Sequence, residues 1–154
     1  MTALAYANVR CSDSPATVTI TRPAEAYQAS SAASSRTITS GEYVVTLTRI
    51  AELDSETDED DRPSEYARDN ALRVLAETAR DLALTFPRAS ASVGPNRGLR
   101  LTWSRGPGEV RLVCGGSADN KSYIYAEYGK DNTVDYTVNG RHVAEHLRWA
   151  LRAS

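Results

Sequence analysis

The sequence predicts an α+β fold in which two helices pack on one face of a four-strand antiparallel meander. Three observations lead to this prediction. Residues 63–86 carry apolar side chains at helical spacing, residues 99–138 alternate apolar and polar side chains in four short runs, and residues 143–151 return to helical spacing. We expect the α+β domain to span residues 62–154.

The composition is that of a globular protein, with 41% hydrophobic and 25% charged residues in 154. No stretch approaches the roughly 20 apolar residues of a membrane-spanning helix, and the first ten residues do not have the pattern of a signal peptide. We therefore expect a cytoplasmic protein without membrane contact. Cys11 and Cys114 are far apart and have no metal-binding spacing, which predicts two free thiols.

Residues 1–50 are predicted to form a β-rich arm. Apolar residues alternate with threonines in residues 16–22, and residues 43–50 alternate in a similar way, which predicts two strands. An Ala- and Ser-rich loop, residues 24–36, separates them. The pattern does not decide whether these strands extend the main sheet or form a separate arm.

An acidic segment, residues 51–61, is predicted to be a flexible, solvated loop. Its densest part is a candidate docking site for a basic partner, because a local negative field attracts cationic surfaces. The residues of this candidate are Asp58, Glu59, Asp60 and Asp61.

The first predicted helix begins next to this segment, with Asp60 or Asp61 as N-cap and Pro63 in its first turn. Pro87 is expected to end it. Its predicted apolar stripe consists of Tyr66, Leu72, Leu75, Ala79, Leu82 and Phe86.

Alternation in the four predicted strands separates a core face from an open face. The residues predicted for the core face include Leu99, Leu101, Trp103, Leu112, Cys114, Ile124 and Tyr136. The residues predicted as an interaction surface on the open face are Arg100, Arg111, Tyr123, Tyr125 and Asp135. This assignment depends on register, because a slip of one residue exchanges the two faces.

Two functions fit such a surface. Tyrosine and arginine are enriched at the centres of protein interfaces, which favours binding to another protein. Aromatic rings beside cations also suit the stacking of single-stranded nucleic acid. The net charge of −2 and the lack of an RNP-like motif disfavour nucleic acid, which we keep as the second partner class.

The segment His142-Val-Ala-Glu-His146 matches the H-x-x-E-H pattern of an inverted zinc hydrolase. On a helix the two histidines share one face, and Glu145 would be the base. The segment lies close to the end of the sequence, with no later acidic ligand, and these are the only histidines. We therefore expect no metal, no cofactor and no enzymatic activity.

The chain also resembles a group of small uncharacterised bacterial proteins. The resemblance covers residues 62–154 and is carried by Arg62-Pro-Ser-Glu, Phe86-Pro and Leu99-Arg-Leu-Thr-Trp103. Some members are associated with toxin–antitoxin-like or defence gene pairs. The resemblance implies an accessory protein that binds a partner encoded by a neighbouring gene. Self-association is the alternative, and the resemblance assigns no functional residues.

Overall fold

The computed structural model describes residues 40–152, and the structural statements below concern those residues. Three features of the sequence analysis lie outside them: the predicted strand at residues 16–22, the Ala- and Ser-rich segment at residues 24–36, and Cys11.

The described part contains three helices and five strands. The helices are α1 (Gly41–Glu56), α2 (Glu65–Leu82) and α3 (Gly140–Ala150). The strands are β1 (Ser90–Gly94), β2 (Gly98–Arg105), β3 (Gly108–Cys114), β4 (Tyr123–Tyr128) and β5 (Asp131–Asp135). Short 3₁₀ turns, Ala83–Thr85 and Pro95–Arg97, follow α2 and β1.

The strands form one antiparallel sheet in the order β1-β2-β3-β4-β5, so each strand pairs with its neighbour in sequence. This arrangement confirms the α+β class and the antiparallel meander. The sheet has five strands rather than the predicted four, because β1 was missed. Its sequence, Ser-Ala-Ser-Val-Gly, contains one large apolar residue, so its alternation is too weak to predict a strand.

The core lies between one face of the sheet and the helices. Trp103 is fully buried there, and its indole N–H donates to the Pro87 carbonyl at 3.1 Å. The predicted core residue Tyr136 is instead 66% exposed, so that assignment is wrong. The core cluster includes Ile50, Val74, Leu75, Leu99, Leu101, Leu112, Cys114, Ile124, Val143 and Leu147.

Helix α1 occupies residues that were predicted to form a strand, and that prediction is wrong. Tyr43, Leu47 and Ile50 follow each other at helical spacing as well as in an alternating segment, so the pattern is ambiguous. Ile50 is buried in the core. The Tyr43 ring packs edge-on against the Phe86 ring, with 5.3 Å between the ring centroids. Packing of this face therefore favours the helix.

The acidic segment is also more ordered than predicted. Helix α1 continues through Glu56, so the first part of the predicted flexible loop is helical. A tight turn follows, in which the Asp58 carbonyl accepts the backbone N–H groups of Asp61 at 2.9 Å and Arg62 at 3.1 Å.

Helix α2 is capped by Ser64 rather than by Asp60 or Asp61. The Ser64 hydroxyl accepts the Ala67 N–H at 3.0 Å and donates to the Gly116 carbonyl at 2.6 Å. The cap thus also joins the helix to the loop after β3. The predicted stripe members Tyr66 and Leu72 are exposed, and the buried stripe is Ala67, Ala71, Val74, Leu75, Thr78, Ala79 and Leu82.

Helix α3 agrees with its prediction. The Asn139 side chain caps it by accepting the His142 N–H at 3.0 Å. Its buried face includes the predicted residues Val143, Leu147 and Ala150. Among the helices of residues 40–152, none has the length and apolar character needed to cross a membrane.

Candidate functional site

The sheet face that points away from the core carries four of the five residues predicted as an interaction surface. Directly opposed residues of an antiparallel pair point to the same side of a sheet. Arg111 is opposite Tyr125, and Val113 is opposite both Arg100 and Tyr123. These five residues therefore share one side, which we call the open face.

Arg111 and Tyr125 form the centre of the open face. The Arg111 guanidinium carbon lies 5.3 Å from the centroid of the Tyr125 ring, and its Nη2 lies 2.5 Å from Glu109 Oε1. The Tyr125 hydroxyl donates to the Glu127 carboxylate, and this bond is the main cause of the raised pKa of Tyr125. The centre therefore combines a ring, a cation and two carboxylates.

Apolar and aromatic side chains continue from this centre to the edge strand. Val134 is opposite Tyr125 and is 46% exposed. Tyr136 lies one residue after β5, and its ring centroid is 6.2 Å from that of Tyr123. We call Tyr123, Tyr125, Val134 and Tyr136 the tyrosine patch.

Two members of the patch, Val134 and Tyr136, are not among the predicted surface residues, because Tyr136 was assigned to the core face and Val134 alternates in phase with it. The register of β5 explains the error. Alternation predicts a strand at residues 133–138, whereas β5 spans Asp131–Asp135. The phase of such a run relative to the sheet cannot be deduced from the run itself. The pairing of Val134 with Tyr125 puts the exposed side chains on the open face.

A polar groove of about 470 Å³ borders the tyrosine patch. Tyr136 and Lys121 form part of one wall, and Tyr66 and Arg73 of α2 contribute to the other. The Lys121 ammonium lies 5.6 Å from the Tyr136 ring centroid, and none of the residues 40–152 that line the groove is acidic.

Asp135 does not belong to the open face. It is opposite the buried Ile124, so its side chain points toward the helices. There it meets His142 Nδ1 at 2.6 Å and His146 Nε2 at 3.3 Å, both through Oδ2. The structure thus joins the fifth predicted surface residue to the two histidines of the H-x-x-E-H segment.

The electrostatics of this cluster favour an ionised Asp135. The His142 hydrogen bond is the largest of the effects that lower the pKa of Asp135 to about 2, and the Thr137 N–H adds a further bond to Oδ1 at 2.8 Å. The side chains of His146 and Asp135 are 19% and 23% exposed. The cluster fixes the end of β5 to α3.

The zinc-hydrolase arrangement whose H-x-x-E-H pattern the sequence matches is not formed in the described part of the chain. Glu145 is paired with Arg141 at 2.9 Å, and this bond is the main cause of its lowered pKa. The 2.6 Å contact between His142 and Asp135 is a hydrogen bond, whereas two ligands of a tetrahedral zinc ion lie about 3.3 Å apart. Among residues 40–152, no group of three or more His, Cys, Asp or Glu side chains is arranged to hold a metal ion.

The candidate acidic docking residues lie in the turn between α1 and α2. Asp58, Glu59, Asp60 and Asp61 are all exposed, and the backbone of the turn is closed by the hydrogen bonds of Asp58. The described residues show these carboxylates in solvent but assign them no ligand.

Cys114 is a free thiol, as predicted, and lies in the core. Burial raises its pKa to about 12, which leaves the thiol protonated and poorly nucleophilic at neutral pH. The residue therefore contributes to packing rather than to a reactive site.

Comparisons of this chain with protein-family models, with curated proteins and with solved structures gave no match.

Proposed function

We propose that this chain is a non-enzymatic protein-binding subunit, an inhibitor or adaptor, that acts through the tyrosine patch. The observation that carries the proposal is the exposure of this patch on a sheet face that no described helix covers. Val134 and Tyr136 are 46% and 66% exposed. Tyrosine supplies a large contact area with few rotatable bonds and is common among the residues that dominate binding energy.

The charge of the open face supports a protein partner over a nucleic acid. Arg100 and Arg111 are balanced by Glu109 and Glu127, which lie opposite each other in β3 and β4. Nucleic-acid affinity depends on an excess of cations that neutralise phosphates. A balanced face lacks that excess, and mixed charges suit the selection of a complementary protein surface.

The chemistry of the described patch supports binding rather than catalysis. The raised pKa of Tyr125 keeps its hydroxyl protonated at neutral pH, so it is a poor base or nucleophile. His142 and His146 each use a ring nitrogen to bind Asp135. These side chains are held in structural contacts.

The partner that we propose is a separate protein encoded beside this chain, as the resemblance of residues 62–154 implies. To test this, a photo-crosslinking amino acid is placed at Tyr136 and, as a control, at Leu84, which is 77% exposed in the turn after α2. In the source cell we expect a single adduct from position 136, identified as the product of an adjacent gene, and none from position 84.

Affinity for that purified partner then tests the patch directly. Tyr136→Ala is expected to weaken binding at least tenfold, the range of interface hot spots, and Leu84→Ala to leave it unchanged. Equal adducts at both positions, or full affinity after loss of Tyr136, would contradict the proposal. An adduct between two copies of this chain would show that the patch mediates self-association and not binding to the product of a neighbouring gene.

Single-stranded nucleic acid is the second candidate, favoured by the cations over the rings of Tyr125 and Tyr136. It predicts that a labelled oligonucleotide binds, that affinity falls steeply with salt, and that Tyr125→Ala weakens it about tenfold. If no salt-dependent binding is measured, this candidate is removed.

A further inference from the structure

A second recess, separate from the tyrosine patch, lies at the other end of the helical layer. Its volume is about 420 Å³, and its walls come from the end of α2, the end of β2 and the C-terminal half of α3. Leu82, Leu147 and Leu151 supply apolar walls, and each of these side chains is largely removed from solvent. We call this recess the arginine groove.

Among the described residues, four arginines and no acidic residue line the arginine groove. Arg88 alone has a carboxylate partner, since its Nε lies 2.7 Å from Glu42 Oε2. The other three, Arg105, Arg148 and Arg152, form no ion pair with any Asp or Glu of residues 40–152. The groove therefore holds an excess of positive charge.

The contacts that Arg105, Arg148 and Arg152 make do not neutralise their positive charge. Arg148 Nη2 donates to the Asp81 backbone carbonyl at 2.9 Å, which orients the guanidinium without neutralising it. The Arg152 guanidinium carbon lies 4.1 Å from the Tyr128 ring centroid, where the ring holds the cation by its π face. Arg105 is exposed at the end of β2.

We infer that the arginine groove binds a small amphiphilic anion, with an acidic head group on a short apolar body. Guanidinium groups bind phosphate and carboxylate oxygens by charge-assisted hydrogen bonds. The apolar body would contact the apolar atoms of the lining, which Pro87 and the exposed edges of the three leucines supply. A volume of about 420 Å³ is within the usual range of small-molecule sites. A purely inorganic anion would leave the apolar walls unused, and a neutral lipid would leave the arginines unpaired.

Neither Tyr123, Tyr125, Val134 nor Tyr136 lines the arginine groove, so this inference does not depend on the proposed function. A ligand bound here would touch α2 and α3 rather than the open face. The two proposals can therefore fail separately.

Calorimetric titration of the full chain tests the inference with four probes: octyl phosphate below its micelle concentration, inorganic phosphate, octanol, and a hexaglutamate peptide. We expect octyl phosphate to bind with one-to-one stoichiometry and at least tenfold more tightly than each of the others. Equal affinity for octyl phosphate and inorganic phosphate would overturn the inference. If hexaglutamate binds more tightly than octyl phosphate, the inference is wrong and the ligand is an acidic protein segment.

Two matched variants locate the site. Arg105→Gln is expected to reduce octyl phosphate affinity at least tenfold, whereas Arg80→Gln, an exposed arginine of α2 outside the groove, is expected to leave it unchanged. Amide chemical shifts should move at Ser104 and Leu151, which line the groove. Unchanged affinity in Arg105→Gln, or shifts confined to other surfaces, would show that the arginine groove is not the site.

Discussion

Asp135 uses one carboxylate to connect a strand with a helix. A carboxylate only accepts hydrogen bonds, so His142 must carry a proton on Nδ1 and His146 a proton on Nε2 when both bonds form. The bonds therefore select the ring tautomers as well as the position of α3. The two histidine contacts lie on the core side of the sheet, whereas the tyrosine patch lies on the open face.

We predict that Asp135→Asn destabilises the protein in a pH-dependent way. The pKa of Asp135 is about 2 in the folded protein, below its ordinary value of 3.8, so the ionised side chain stabilises the fold above pH 4. This stabilisation is lost as the pH falls through about 2. Because the side chain is partly exposed, we expect a difference of about 1 kcal/mol near pH 6 rather than the full linkage value.

Urea unfolding of both proteins between pH 2 and pH 6 measures this difference. Asp131→Asn is the matched control, since Asp131 is exposed in the same strand and makes no side-chain hydrogen bond within the described residues. If the difference in free energy of unfolding between Asp135→Asn and the unmodified protein stays constant from pH 2 to pH 6, the assigned role of the carboxylate is refuted.

At the level of elements, α1 shows the limit of periodicity over a short segment. Tyr43 and Leu47 fit the alternation of a strand and also the face of a helix, so the pattern alone cannot choose. The choice comes from distant contacts. The Thr46 hydroxyl accepts the Ala89 N–H at 3.2 Å, a bond that exists only in the assembled fold. It also donates to the Glu42 carbonyl, one turn back in the same helix, at 2.8 Å.

The other strands of the prediction, β2 to β4, were placed correctly because each is bounded by glycine turns and has one fully apolar face. Leu101, Leu112 and Ile124 are all buried as predicted. Strand β5 has no such face, because its sequence, Asp-Asn-Thr-Val-Asp, contains a single apolar residue. Which of its side chains face the core is therefore determined by its pairing with β4. That pairing cannot be deduced from the sequence of β5.

Gly140 allows α2 and α3 to approach each other closely. A Cβ atom at this position would lie 2.1 Å from Glu77 Cβ and 2.6 Å from the Thr78 nitrogen. We predict that Gly140→Ala destabilises the fold by about 2–3 kcal/mol, because the helices must move apart. The melting temperature should fall by on the order of 10 °C.

Gly41→Ala is the control for this prediction. A Cβ atom there would have no neighbour within 4 Å, and the residue opens α1. We expect a change of less than about 0.5 kcal/mol, since alanine favours a helix. If the melting temperature falls equally in Gly140→Ala and Gly41→Ala, close packing at Gly140 is not the cause of the destabilisation.

For the molecule as a whole, Cys114 offers a measure of global opening. Its thiol is fully buried in the core and its pKa is raised to about 12, so a thiol reagent needs the core to open. In a Cys11→Ser variant, we predict that the folded protein reacts at least about 10³-fold more slowly than the urea-unfolded protein. Reaction at comparable rates would mean that the core opens without global unfolding.

Part of the candidate site could be predicted from the alternation of apolar and polar residues, which also predicts the core. Arg100, Arg111, Tyr123 and Tyr125 lie in strands whose phase is set by their own apolar partners, and all four are on the predicted face. The arginine groove was not predictable, because Arg105 and Arg148 are brought together only by the packing of α3 beside the end of β2. Such juxtapositions depend on tertiary contacts between distant segments.

The order of the elements along the chain has a consequence for biosynthesis. Helix α3 follows all five strands, yet its buried face covers the sheet beside β3 and β4. During synthesis from the N-terminus, the side of the sheet next to Val143 and Leu147 therefore stays uncovered until that helix has emerged from the ribosome. A nascent chain stalled after β5 would present Leu112 and Ile124 to chaperones and proteases. Release of the chain through the end of α3 at Ala150 would close that interval.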